Sequence, residues 1–177
     1  MIDIHRYVHN DFLNKFSDRV LSESEDITLT RLERGSLKED MIDGDSNVSK
    51  NYALYDISGK YQFDFVYELQ NKLNGIVMMT TLYKEGDFLG WHTNSKVNGY
   101  NLILTYSDSN WSYFECQDKK HYDIIGWSYK TNQFKNEQDW HRVVSIGNRI
   151  TVALLFADEE TRQTAIDKLS INNSKWT

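Results

Sequence analysis

Apolar positions at the start of the chain recur at helical spacing. Val8, Phe12, Leu13 and Phe16 form one stripe that Val20 continues, which predicts a helix over the first 25 residues. Ile27 to Leu32 alternates apolar and polar residues, as a strand does. Residues 34–50 are polar, acidic and glycine-containing, the pattern of a long surface loop or lid. Phe63, Val66, Leu69 and Leu73 share one face of a second helix, Gln62 to Leu73, stopped by Asn74-Gly75. From residue 76 the period shortens to two. Short β-rich runs follow at Ile76–Tyr83, Phe88–His92, Tyr100–Tyr106, Trp111–Cys116, Tyr122–Tyr129, His141–Ile146 and Ile150–Phe156. Turn residues such as KEGD, SDSN and GN separate them. A last helix, Glu159 to Leu169, has Asp158 as its cap. The pattern predicts a mainly β fold with flanking helices, an antiparallel sandwich or barrel with a double-sheet jelly roll as one candidate. No repeat or linker divides the 177 residues, so one domain is expected. Within it, 1–75 would be N-terminal support, 76–156 the core, and 157–177 a C-terminal helix and tail.

Composition narrows the classes. Forty per cent of residues are hydrophobic, enough for a packed core. No apolar run reaches the roughly 18–20 residues of a membrane span, and the first residues carry acids and histidines where a signal peptide has a basic cap. A cytoplasmic location, a host's cytoplasm if the source is a phage, is the expectation. A lone cysteine, Cys116, permits no internal disulfide and excludes a Cys-rich metal site. The net charge of −6 argues weakly against a dedicated nucleic-acid grip without excluding nucleic acid as a substrate. The absence of proline, with abundant Asn, Lys, Ile and Tyr, points to an AT-rich genome, as in many phages.

The residues that carry chemistry lie in the β-rich half. Tyr83-Lys-Glu-Gly86 leads into Trp91-His92-Thr93-Asn94. Trp140-His141-Arg142-Val143 and Gly147-Asn148-Arg149-Ile150-Thr151 follow. Histidines on two strands of a jelly roll can converge on one metal, and imidazole suits Fe, Zn and Cu. Asn94 falls two residues after His92, on the same strand face, where a third ligand is expected. Arg149, in an otherwise apolar strand, needs a partner, and a bound anion supplies one.

This arrangement resembles the 2-oxoglutarate- and Fe(II)-dependent dioxygenases of the prolyl-hydroxylase-like type. Their pattern is His-x-Asp/Glu, a distal His, and an Arg or Lys about one strand further on. The matches are His92, His141 and Arg149, with Thr151 as the hydroxyl that shares the co-substrate's carboxylate and Tyr83 as a further contact. The Trp-His-Thr-Asn form is similar to small phage members of the superfamily. The resemblance covers residues 76–156. It implies a double-stranded β-helix, Fe(II) on His92 and His141, and 2-oxoglutarate anchored on Arg149 and Thr151. It also implies cleavage of that co-acid by O2 to succinate and CO2 with hydroxylation of a C–H bond. The substrate would be a small molecule or a peptide side chain; no membrane partner is implied, and oligomeric state is open.

Asn94 departs from the family, which has a carboxylate there. It ligates through its amide oxygen, or stands aside, or marks a dead site. The dead-site reading makes the chain a non-catalytic jelly roll, a binding or structural protein that lost its carboxylate ligand. A cupin is the weaker alternative, because Asn94 and Asn98 fall near that class's second His and its Glu. Glu115 is a substitute carboxylate that no spacing requires. Cys116 reads as a small buried hydrophobe, and His5, His9 and His121 as surface residues. Trp91, Trp127 and Trp140 read as core or pocket wall. The acidic stretch Glu39–Asp45 lacks the full calcium-loop pattern.

Overall fold

The computed structural model describes residues 5–26, 29–37, 51–93, 99–116, 119–130 and 140–170. Its strands are β1 (His5–Val8), β2 (Arg31–Arg34), β3 (Tyr52–Asp56), β4 (Ile76–Tyr83), β5 (Phe88–His92) and β6 (Tyr100–Ser107). They continue as β7 (Tyr113–Cys116), β8 (Lys119–Tyr122), β9 (Gly126–Lys130), β10 (His141–Val144) and β11 (Arg149–Phe156). Helices α1 (Asp11–Asp26), α2 (Tyr67–Leu73) and α3 (Glu159–Ser170) flank them, α2 entered through a π-helical turn at Gln62–Val66.

Hydrogen bonding orders the strands β1-β9-β6-β11-β4 in one layer and β5-β10-β7-β8 in the other. Strand β3 pairs with both β4 and β5 and so joins the layers. Every pairing is antiparallel. From β4 onward the chain alternates between layers, with β7 and β8 together as one hairpin in the second layer, which is the winding of a double-stranded β-helix, the jelly roll that the strand pattern predicts.

Strand alternation gives the long layer two different faces. In β11, Ile150, Val152, Leu154 and Phe156 point outward to the helices and are buried. They meet Leu13, Phe16 and Val20 of α1, Leu69 and Leu73 of α2, and Ala165 and Leu169 of α3 in one large core. Phe16 stacks on Phe65 at a centroid distance of 3.4 Å, and Trp127 Nε1 donates to Ser17 Oγ of α1 at 3.2 Å. The other face of the same strands looks into the roll. Across β4, β11, β6 and β9 it carries the row Tyr83–Arg149–Ser107–Gly126, then the hydroxyl row Thr81–Thr151–Thr105–Ser128. Lys130 follows on that face, two residues after Ser128.

Several boundaries differ from the sequence pattern. The helix starts at Asp11, because Asn10 caps it: Oδ1 accepts from the backbone N–H of Phe12 at 3.0 Å and of Leu13 at 3.1 Å. Residues before it form β1, with Val8 opposite Trp127; a four-residue strand carries too short a pattern to separate from the helix that follows. The run Tyr122–Tyr129 breaks into β8 and β9, with Gly126 at φ 92° at the corner where the chain changes layers. Trp111 sits in the turn before β7 and is exposed. Strand β3 is an addition; its pattern was hidden behind the polar stretch. Asn74 ends α2 in the left-handed region at φ 56°, and Asp158 Oδ1 accepts from Thr161 N at 2.7 Å, as the sequence pattern predicts. Of the expected 34–50 loop, residues 38–50, including the acidic stretch Glu39–Asp45, lie outside the described residues, as does Asn94.

Candidate functional site

The two layers enclose a cavity of about 90 Å³ between His92, His141, Lys130, Arg149, Thr151 and Tyr83, with apolar walls from both layers. One water needs roughly 10–15 Å³ measured in this way, so the space suits a ligand of several atoms.

His92 ends β5 and His141 opens β10, and the two are directly paired across the strands. Both are buried, and their ring centroids lie 4.1 Å apart with planes at 59°. His92 Nδ1 is 2.8 Å from the carbonyl of Gly90. A carbonyl only accepts, so Nδ1 carries the proton and Nε2 keeps its lone pair. Orientation of one ring nitrogen by a backbone carbonyl is how proteins prepare the other to bind a metal. Burial lowers the His92 pKa and the Gly90 contact opposes that shift only in part, so the ring is held neutral, as a ligand must be. His141 stacks on Phe114 with centroids 5.2 Å apart. The donor set fits two positions of a divalent transition metal. Among the described residues no cluster of three His, Cys, Asp or Glu side chains completes it.

Arg149 is fully buried at the first position of β11. Its Nε donates to Asp123 Oδ2 at 2.7 Å, and its Nη1 donates to Thr151 Oγ1 at 2.6 Å. A third, longer contact runs from Nη2 to Thr105 Oγ1 at 3.4 Å. A guanidinium has five N–H donors, so two remain for a ligand. Thr151 accepts from Arg149 and keeps its own O–H to donate into the cavity. The Arg149 carbon lies 5.5 Å from the Tyr83 ring, and burial raises the Tyr83 pKa, with Arg149 opposing.

The remaining candidates separate cleanly. Glu115 faces away from the cavity with Arg142, whose Nε donates to it at 2.8 Å, so it is no substitute ligand. Arg142 also stacks over Trp91 at 4.9 Å, while Trp127 belongs to the large core. Cys116 packs against the smaller apolar cluster inside the roll.

Two buried residues of the site escape the motif. Asp123 lies 26 residues from Arg149 in sequence. Lys130 ends β9 with 2% exposure. Alternation was the available signal for Lys130. Trp127 and Tyr129 take the helix face, which turns Ser128 and Lys130 inward. For Asp123 no sequence signal existed.

No family model and no curated protein matches the sequence. Solved structures similar to the chain include a predicted oxalate decarboxylase from Thermotoga maritima, 15% identical over 75% of this chain and 96% of that one, with a TM-score of 0.40. Another is a prolyl hydroxylase from Trichoplax adhaerens, solved with a hypoxia inducible factor oxygen degradation domain peptide fragment. It is 16% identical over 89% of this chain and 85% of that one, with a TM-score of 0.42. KdgF from a Halomonas species is 9% identical over 46% and 71%, with a TM-score of 0.30. The strand pairing by itself makes the fold a jelly roll. No helix among the described residues is long and apolar enough to cross a membrane.

Proposed function

We propose that the protein is a jelly-roll oxygenase that uses Fe(II) and 2-oxoglutarate to hydroxylate a small molecule or a peptide side chain. The observation that carries this reading is the buried His92–His141 pair, with rings 4.1 Å apart, facing the same cavity as Arg149 and Thr151. His92 and His141 would hold the metal. When bound, Fe(II) would supply the redox chemistry by which O2 converts the 2-oxo acid to succinate and CO2 while a substrate C–H bond is hydroxylated.

The chain's own residues do the rest. The Gly90 carbonyl fixes the His92 ring. Two free N–H groups of Arg149 and the Thr151 hydroxyl converge on a carboxylate. The apolar walls lower the local dielectric, which strengthens each of these contacts.

Calorimetry on the Mn(II)-loaded protein tests the reading. Binding of 2-oxoglutarate that is lost in His92→Ala and His141→Ala supports it, and succinate formation with Fe(II) and O2 completes it. No binding at millimolar 2-oxoglutarate would favour the non-catalytic jelly roll. In that reading Asn94 marks the lost ligand, and the roll serves as a binding or structural module, of a phage for instance. Binding without turnover would make the missing substrate or Asn94 the point to pursue, and Asn94→Asp should then tighten the metal.

A further inference from the structure

Charge is unevenly compensated inside the cavity. Arg149 and Asp123 form a buried ion pair at 2.7 Å, with side chains 1% and 0% exposed, so together they are neutral. Lys130 is as deeply buried, at 2% exposure, and lines the same cavity. Among the described residues its Nζ has no hydrogen bond and no ion pair; it rests on the face of Phe114, 3.7 Å from the ring centroid, across the roll. Even a desolvated cation–π contact is weaker than the penalty of burying an ammonium. The ring therefore does not offset the charge. Desolvation accordingly lowers the Lys130 pKa well below the ordinary amine range, with Arg149 adding to the shift and Asp123 opposing it.

We propose that Lys130 is the charge-bearing anchor of the cavity, pairing with the carboxylate of a small organic acid while the Arg149–Asp123 pair serves as a neutral, hydrogen-bonding floor. The inference rests on the oxygenase reading for the identity of that acid, 2-oxoglutarate, but not for its charge. It assigns Arg149 the orientation of the ligand and Lys130 the electrostatic attraction. Such a residue lowers the stability of the empty protein and is repaid on binding, so the two effects of removing it have opposite signs.

The experiment compares wild type with Lys130→Met, which keeps the length and removes the charge. Two probes are used: 2-oxoglutarate with Mn(II), and succinate, which lacks the 2-oxo group, without metal. The expected result is a loss of at least about 30-fold in affinity for whichever acid binds, together with a thermal midpoint equal to or above wild type. Equal affinity in the variant overturns the anchor and leaves the oxygenase reading standing. Succinate binding that depends on Lys130, with no metal-dependent 2-oxoglutarate binding, keeps the anchor and overturns the oxygenase. Failure of both acids to bind the wild type at about 10 mM overturns both. A lower midpoint in the variant would make Lys130 a structural residue and overturn the proposal as well.

Discussion

The outer and inner faces of the long layer are built from the same strands, one residue out of phase, and they differ in kind. Outward, Ile150, Val152, Leu154 and Phe156 join three helices in the large core. Inward, Arg149, Thr151 and Ala153 line the cavity, and the apolar cluster inside the roll is small: Leu54, Tyr83, Phe114 and Val143. Burial of apolar area stabilises the fold at about 25 cal/mol per Å², and most of that area lies outside the roll. The helices therefore do more than cover a sheet. They move the stabilising core to one side and leave the interior free to hold charges and hydroxyls that a sole core would not tolerate.

The largest test of this division is Arg149→Met. It leaves Asp123 buried without its ion pair and should cost about 3–5 kcal/mol in urea unfolding. Adding Asp123→Leu should return most of that loss, since well-packed apolar pairs match buried ion pairs in stability. If the double variant is as unstable as the single one, the pair shapes the roll rather than merely occupying it.

Leu154→Ala probes the opposite face. Leu154 is fully buried among the helices, and its truncation should cost about 2–5 kcal/mol. Metal and acid affinity of the folded fraction should stay within about twofold. A large affinity change would show that the two faces are coupled.

The pH dependence of stability sharpens the contrast. Among the described residues, Arg149, Asp123, Cys116 and His121 act electrostatically with Lys130, and Tyr83, His92 and His141 share its cavity; the ordinary pKa of the amine is 10.5. The unfolded amine holds its proton up to that pH, whereas the buried amine releases it earlier. At this group the unfolded state thus binds more protons, and its contribution to stability rises with pH until about 10.5. Lys130→Met lacks this contribution, so its stability advantage over wild type should shrink between pH 7 and pH 10. Urea midpoints across that range check it, and a constant gap would mean that the amine stays charged in the fold. The smallest effect belongs to the helix start. Asn10→Ala removes the α1 cap and should cost about 1 kcal/mol, with ligand binding unchanged.

The sequence by itself determined the strand-rich core, the stop at Asn74, the cap at Asp158, and His92, His141 and Arg149 as the residues of interest. These follow from local periodicity and short spacings, which the chain carries without folding. It did not determine β1 and β3, short strands that exist through pairing with Trp127 and with the two layers. Nor did it determine what Arg149 is for. The expectation that a bound anion must balance that charge arose because its partner, Asp123, comes from another turn of the chain. Only tertiary structure brought them together, and only tertiary structure left Lys130 as the buried charge among the described residues with no ion-pair partner in the roll. Alternation decides which face a side chain takes; the partner it meets there is set by strands distant in sequence, and that information is non-local.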